Sequence, residues 1–169
     1  MGRMLTLVVD LRSAPAVASP PHGYTLRPCR PSDISDLGRL YFEAYDPGIA
    51  CSSLPEAVAD IEAVFAGSYG ELWHEASLVA VAEGERLVAA IQVVRCAPWE
   101  DTPDSPFVIE LFTSRVHRRL GLGHALVGGA MAVVGGANHD TLALRVDEDN
   151  TSAPSLYRSL GFYEWTVGI

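Results

Sequence analysis

Between residues 107 and 147 the sequence changes its period twice, and this restricts the fold more than any other feature. The run FVIELFT (107–113) is apolar enough for a buried strand, residues 121–134 are apolar around their whole circumference, and TLALRVD (141–147) is strand-like again. A helix that is apolar all round is normally buried against a sheet. The segment is therefore predicted to be one strand–turn–helix–strand crossover unit, right-handed as such connections are.

The rest of the chain supplies the remaining layers. Residues 24–27 form a short strand ended by Pro28, and Pro31-Ser32-Asp33 opens a helix that Ser32 or Asp33 can cap. Ile34, Leu37, Leu40, Tyr41 and Tyr45 then recur at helical spacing. A second helix starts at Pro55, a good first-turn residue, and runs through Val58, Ile61, Val64 and Phe65. Residues 77–83 and 86–95 read as an antiparallel hairpin turning at Gly84-Glu85. Residues 152–160 form a short helix and residues 162–167 a last strand. At the other end, residues 4–11 make a short strand that a Pro-, Ala- and Ser-rich stretch follows. The chain is divided accordingly into an N-terminal strand and linker, 1–23, and a folded domain, 24–169. The predicted class is α/β, with a central mixed sheet and helices packed on it.

Composition narrows the function classes. With 169 residues, 49% hydrophobic and 20% charged, the chain suits one soluble domain with a sizeable core. Its longest apolar run, 125–137, is interrupted by four glycines and falls short of the ~18–20 residues that cross a bilayer. Residues 1–12 are too short for a secretory leader and carry Asp10, so a cytoplasmic protein without membrane attachment is expected. The net charge is −9, from 12 arginines, no lysine and 21 acidic residues, which argues against nucleic acid and favours small cations or basic peptides as partners. Cys29, Cys51 and Cys96 lack disulfide or zinc spacing, and the five histidines lack metal spacing, so no metal is expected.

The chemistry signals cluster in the turn Arg118-Arg119-Leu120-Gly121-Leu122-Gly123-His124. Gly121 and Gly123 let backbone N–H groups approach a ligand, the helix start adds partial positive charge, and two arginines stand beside them. Such a loop suits a diphosphate; the same residues also fit a tight turn with solvated arginines. A dinucleotide fingerprint would need glycine where Leu126 stands, and a P-loop is impossible without lysine.

Arg118-x-x-Gly121-x-Gly123 after a strand resembles the acyl-CoA pyrophosphate loop of the GCN5-related N-acetyltransferases. The segment Asn150-x-x-Ala153-x-x-Leu156-Tyr157-x-x-x-Gly161-Phe162 matches that family's second block at every defined position, with one helix and one strand between the blocks. The resemblance covers roughly residues 24–169. Thr113 and Arg115 stand where many members have Val and Pro, and many members continue with one more strand beyond the Gly-Phe segment.

The resemblance implies a mostly antiparallel sheet with a splayed parallel pair, here residues 107–113 and 141–147, between which a pantetheine arm lies. Backbone groups of Leu111, Phe112 and Thr113 would bind that arm, Arg118 to His124 the pyrophosphate, and Asn150 the arm or the helix start. Acetyl-CoA would be the co-substrate, and the reaction transfer to a primary amine by direct attack in a ternary complex. Tyr157 is the candidate general acid toward the departing thiolate. Glu110, which interrupts an apolar strand, is either the base or an ion-pair partner of Arg145. Tyr41, Glu43 and the loop 99–104 are candidates for shaping the acceptor pocket, and nearby carboxylates would favour a cationic small-molecule amine or basic peptide. The rival reading is a non-catalytic acyl-CoA-binding regulatory or sensor module. Either residues 4–11 or a second subunit of a homodimer is expected to cover the exposed sheet edge.

Overall fold

The structure is a computed structural model describing residues 3–14, 19–46, 48–149 and 153–166. Its strands are β1 (Met4–Asp10), β2 (Thr25–Pro28), β3 (Leu78–Val81), β4 (Leu87–Val94), β5 (Phe107–Thr113), β6 (Thr141–Asp147) and β7 (Tyr163–Glu164). They form one sheet in the order β2-β3-β4-β5-β6-β1-β7. Every pairing is antiparallel except that of β5 with β6. The mixed, mostly antiparallel α/β class expected from the sequence is the one observed.

Helices cover both faces. On one, α1 (Ile34–Ala44) and α2 (Leu54–Phe65) bury Leu37, Leu40, Ile61 and Val64 against Val79, Ala90 and Phe112 of the sheet. On the other, α3 (Leu122–Gly136) and α4 (Ala153–Ser159) bury Leu126, Ala130, Met131 and Tyr157 against strands including β4 and β6. Helix α3 packs closely at Gly129, where a Cβ would sit 2.6 Å from Leu78 Cδ1 and that leucine end would have to shift. The predicted helix starts hold with one change of role. Ser53 accepts from the N–H of Glu56 and caps α2 with Pro55 in its first turn. Asp33 stands at the α1 cap position but makes no cap bond there; its carboxylate instead closes the preceding 3₁₀ turn through the N–H of Arg30, at 2.9 Å. It also takes both arms of Arg27, each at 2.8 Å, so Arg27 and Asp33 tie β2 to α1.

The parallel pair is what positions the site. β5 and β6 are paired only at Phe107–Ala143 and Val108–Leu144, after which they separate. Next to that fork, Gln92 opposes Glu110 while Val93 opposes Val108, so Ile109 is an extra residue on β5. Such a bulge bends its strand and re-aims the side chains beside it.

The N-terminal strand lies inside the sheet. β1 pairs along its whole length with β6, from Met4–Asp147 to Asp10–Thr141, and carries β7 on its other side. Leu7, Val8 and Val9 are buried there. The last strand is shorter than the predicted 162–167, although Trp165 continues the contact by donating its N–H to Thr6 at 2.8 Å. Residues 66–77, unassigned from sequence, run alongside β4: Trp73 donates to Val93 at 2.8 Å, and Arg95 lies over the Trp73 ring, 4.3 Å from its centroid.

Candidate active site

The turn after β5 becomes a cleft because of two backbone conformations. Gly121 has φ +87° and Arg119 φ +62°, the left-handed region that glycine adopts without cost. The chain thus reverses tightly into α3, whose first return bond runs from the Ala125 N–H to the Gly121 carbonyl. The N–H groups of Leu122, Gly123 and His124 precede that bond and have no acceptor within the helix. No side chain among the described residues caps them. A Cβ at Gly123 would meet only Leu156 at 3.5 Å and Leu111 at 3.9 Å, so neither strain nor crowding demands glycine; its effect is to leave the backbone open to the cleft.

That cleft holds about 640 Å³, within the range of small-molecule sites. Leu111, Phe112, Thr113, Arg118 and Arg119 border it. Gly121, Leu122, Gly123 and His124 complete the predicted set at its mouth. Phe112 is itself a core residue, so only its backbone is available there. Leu120 departs from the expectation: it is exposed at 45% and does not border the cleft. Asn150 lies outside the described residues. Arg118 donates to the Ala44 carbonyl at the end of α1 and neighbouring Arg115 pairs with Asp46, so this loop is tied to the α1 terminus. Arg119 has no ion pair among the described residues. His117, outside the residues expected from sequence, also borders the cleft, and its buried Nδ1 has no partner among the described residues. Free helix N–H groups, a missing Cβ, an unpaired guanidinium and an orphaned ring nitrogen together fit an anionic, phosphate-bearing ligand.

Tyr157 and Glu110 meet at the fork. Both border a cavity of about 360 Å³ between β5 and β6, which shares Tyr45, Leu111, Ala153 and Leu156 with the cleft. From Ile109 onward, the alternate backbone groups of β5 that face β6 have no strand partner. Tyr157 is 6% exposed, its ring edge-on to Phe162, and burial together with the nearby Glu110 charge pushes its phenol up to about 12. It therefore stays protonated at any working pH. Glu110 accepts a hydrogen bond from Tyr45 Oη at 2.8 Å. Burial raises its carboxyl to about 6, with Asp60 adding to the rise and the Tyr45 bond opposing it. The alternative ion pair with Arg145 does not form: Arg145 pairs with Asp101 at 2.6 Å and covers Trp99, 5.3 Å from its centroid.

On its other side Glu110 borders a third cavity, of about 220 Å³, with Tyr41, Asp60, Tyr69, Gln92 and Trp99. Tyr41 and Trp99 were anticipated here. Glu43 was too, but it pairs with Arg39 along α1. Tyr45, Asp60 and Gln92 were missed. Helical spacing marks Tyr45 only as a periodic residue of the first helix, and Asp60 and Gln92 approach Glu110 only through helix packing and strand register. No cluster of three or more metal-binding side chains occurs among the described residues. Cys29, Cys51 and Cys96 border none of these cavities, and burial pushes the Cys29 thiol up to about 12.

Comparison with known proteins agrees with this geometry. The sequence model of the acetyltransferase (GNAT) family matches residues 40–162, and the chain belongs to that family. Mycothiol acetyltransferase of Thermobispora bispora is 46% identical over 52 residues, which are 31% of this chain and 18% of that protein. The fold is that of a GCN5-related N-acetyltransferase from Sphaerobacter thermophilus, with TM-score 0.71, 20% identity and coverage of 96% of this chain and 48% of the other. A tandem GNAT protein from the clavulanic acid biosynthesis pathway has TM-score 0.70 and 15% identity over 98% of this chain and 51% of its own. The chain spans about half the length of these two structures. No helix among the described residues is long and apolar enough to cross a membrane.

Proposed function

We propose that this chain is an acetyl-CoA-dependent N-acetyltransferase that acetylates a primary amine by direct attack within a ternary complex. The observation that carries this reading is the continuity at the fork. Leu111 and Leu156 border both the anion-suited cleft and the cavity of Tyr157 and Glu110, and Glu110 in turn borders the acidic, aromatic pocket. Acetyl-CoA supplies an activated acetyl thioester. The N–H groups of Leu122, Gly123 and His124, with Arg119, would hold its diphosphate. Unpaired backbone groups of Leu111 to Thr113 would align its arm as an added strand, with an N–H there polarising the thioester carbonyl.

The remaining roles are proton handling. Glu110, with a carboxyl near 6, is ionised at neutral pH and takes a proton from the incoming ammonium, directly or through water. The Tyr45 hydroxyl fixes Oε1 of that carboxylate. Tyr157 holds the proton that a departing thiolate needs. No described cysteine borders the cavities, which supports direct transfer over an acyl-enzyme route. A homodimer is not required to cover β6, because β1 already does.

Thiol release from acetyl-CoA, measured with a panel of amines, tests the assignment. Wild type turns over, while Tyr157→Phe loses about 10²–10⁴-fold in kcat with its calorimetric affinity for CoA kept. CoA binding without thiol release from any amine would instead make the chain an acyl-CoA sensor.

A further inference from the structure

The pocket beside Glu110 has an unusual polar inventory. Two carboxylates, Asp60 and Glu110, border it, and neither has an ion-pair partner among the described residues. Trp99 is already covered by Arg145, which leaves the Tyr41 and Tyr69 rings beside the carboxylates. Uncompensated carboxylates and aromatic rings recognise an ammonium group. A volume of about 220 Å³ lies below the roughly 300–1,000 Å³ of drug-sized sites, so the occupying group is compact.

One group in the pocket is unfinished. Gln92 is 3% exposed and stands directly opposite Glu110 in the strand register, yet its Nε2 is buried with no hydrogen-bond partner among the described residues. Its neighbours along β4 are apolar, so packing would be served by a leucine or methionine. A buried amide N–H without an acceptor is rare and costly. Glu110 does not complete it; the described bond to that carboxylate comes from Tyr45.

We propose that the acceptor completes Gln92. The amine acetylated here carries a neutral oxygen, hydroxyl or carbonyl, that accepts from Gln92 Nε2, turned toward the cavity by rotation of the carboxamide, when its nitrogen lies at Glu110. The oxygen is neutral because Asp60 and Glu110 repel a carboxylate. Amino alcohols and amino amides are therefore substrates of choice over plain alkylamines and free amino acids. Gln92 is the specificity-determining residue. This inference rests on the N-acetyltransferase reading above.

The test compares kcat/KM, at equal concentrations of neutral amine, for ethanolamine, glycinamide, propylamine and glycine. Wild type prefers the first two over propylamine by about ten- to a hundredfold, the discrimination a buried unpaired donor provides, and uses glycine least. Gln92→Met keeps the length, removes the N–H and collapses the preference over propylamine to within about threefold, while KM for acetyl-CoA stays put. A wild-type ratio near one overturns the assignment, as does a preference that survives Gln92→Met. The wild-type ratio decides alone should circular dichroism show Gln92→Met unfolded. Transfer to propylamine with a flat ratio removes only the role of Gln92; transfer to no amine removes the acetyltransferase reading with it.

Discussion

Burial of Glu110 works in opposite directions on stability and on chemistry. Its carboxyl is raised in the fold, so between the unfolded value near ~4.3 and about 6 the folded chain binds more protons than the unfolded one. Stability accordingly falls as pH rises through that window, and above it the ionised, partly buried carboxylate is a standing cost. Glu110→Gln is expected to raise stability at pH 8 by on the order of 1–2 kcal/mol and to lower kcat by about a hundredfold or more. Thermal melts and thiol release on the same preparations check both signs; a variant that loses stability at pH 8 contradicts the account. In wild type, kcat/KM should rise with pH through an apparent pKa near 6. Asp33 has the reverse sign. The Arg27 guanidinium holds its carboxyl below the usual range, so the stability it contributes is present above the unfolded value and lost as pH falls through the folded one.

Among elements, the α1–α2 contact shapes the cavity beside Glu110, the proposed acceptor pocket, since α1 carries Tyr41 and α2 carries Asp60. The helices meet where Gly38 faces Val58, and a Cβ there would lie 2.5 Å from Val58 Cγ2 and 2.8 Å from its Cα. A backbone atom cannot rotate away. Gly38→Ala would gain about 1 kcal/mol in helix propensity, but separating the helices costs about 1–3 kcal/mol. We expect a net fall in Tm of a few degrees and a higher KM for the amine with little change for acetyl-CoA. An unchanged amine KM would show that the helix pair does not shape the pocket. The amphipathic periods of both helices were readable from sequence. The fork between residues 107–113 and 141–147 was expected from the family resemblance, but not the point where pairing stops, after Val108–Leu144, nor the bulge at Ile109, which is a property of two strands together.

Over the whole molecule, β1, expected from sequence either to cover a sheet edge or to leave that role to a second subunit, is an integral strand. It lies between β6 and β7 and buries Leu7, Val8 and Val9. Deleting residues 1–12 should abolish cooperative unfolding, or leave an aggregating chain, by exposing the β6 edge and opening the core. A deletion variant that melts cooperatively at the wild-type temperature would contradict this. The net charge of −9 acts at the same scale: at low salt it attracts cations of any kind and repels anions.

The amino-acid order alone determined what is local. The spans of β5 and β6, the helices from Asp33 and Pro55, and the Gly121 turn follow from hydrophobic period, capping chemistry and backbone freedom within a few residues. The two motif blocks likewise point, through the family resemblance, to Arg118 to Gly123 and Tyr157 as the proposed coenzyme-binding and proton-donating residues. Tertiary structure alone decided which side chains converge on Glu110. Tyr45, Asp60 and Gln92 lie 65, 50 and 18 positions away from it along the chain and come from α1's end, α2 and β4. Side-chain environment, and with it the raised carboxyl and the orphaned amide, depends on burial by distant segments, which no window of neighbouring residues encodes.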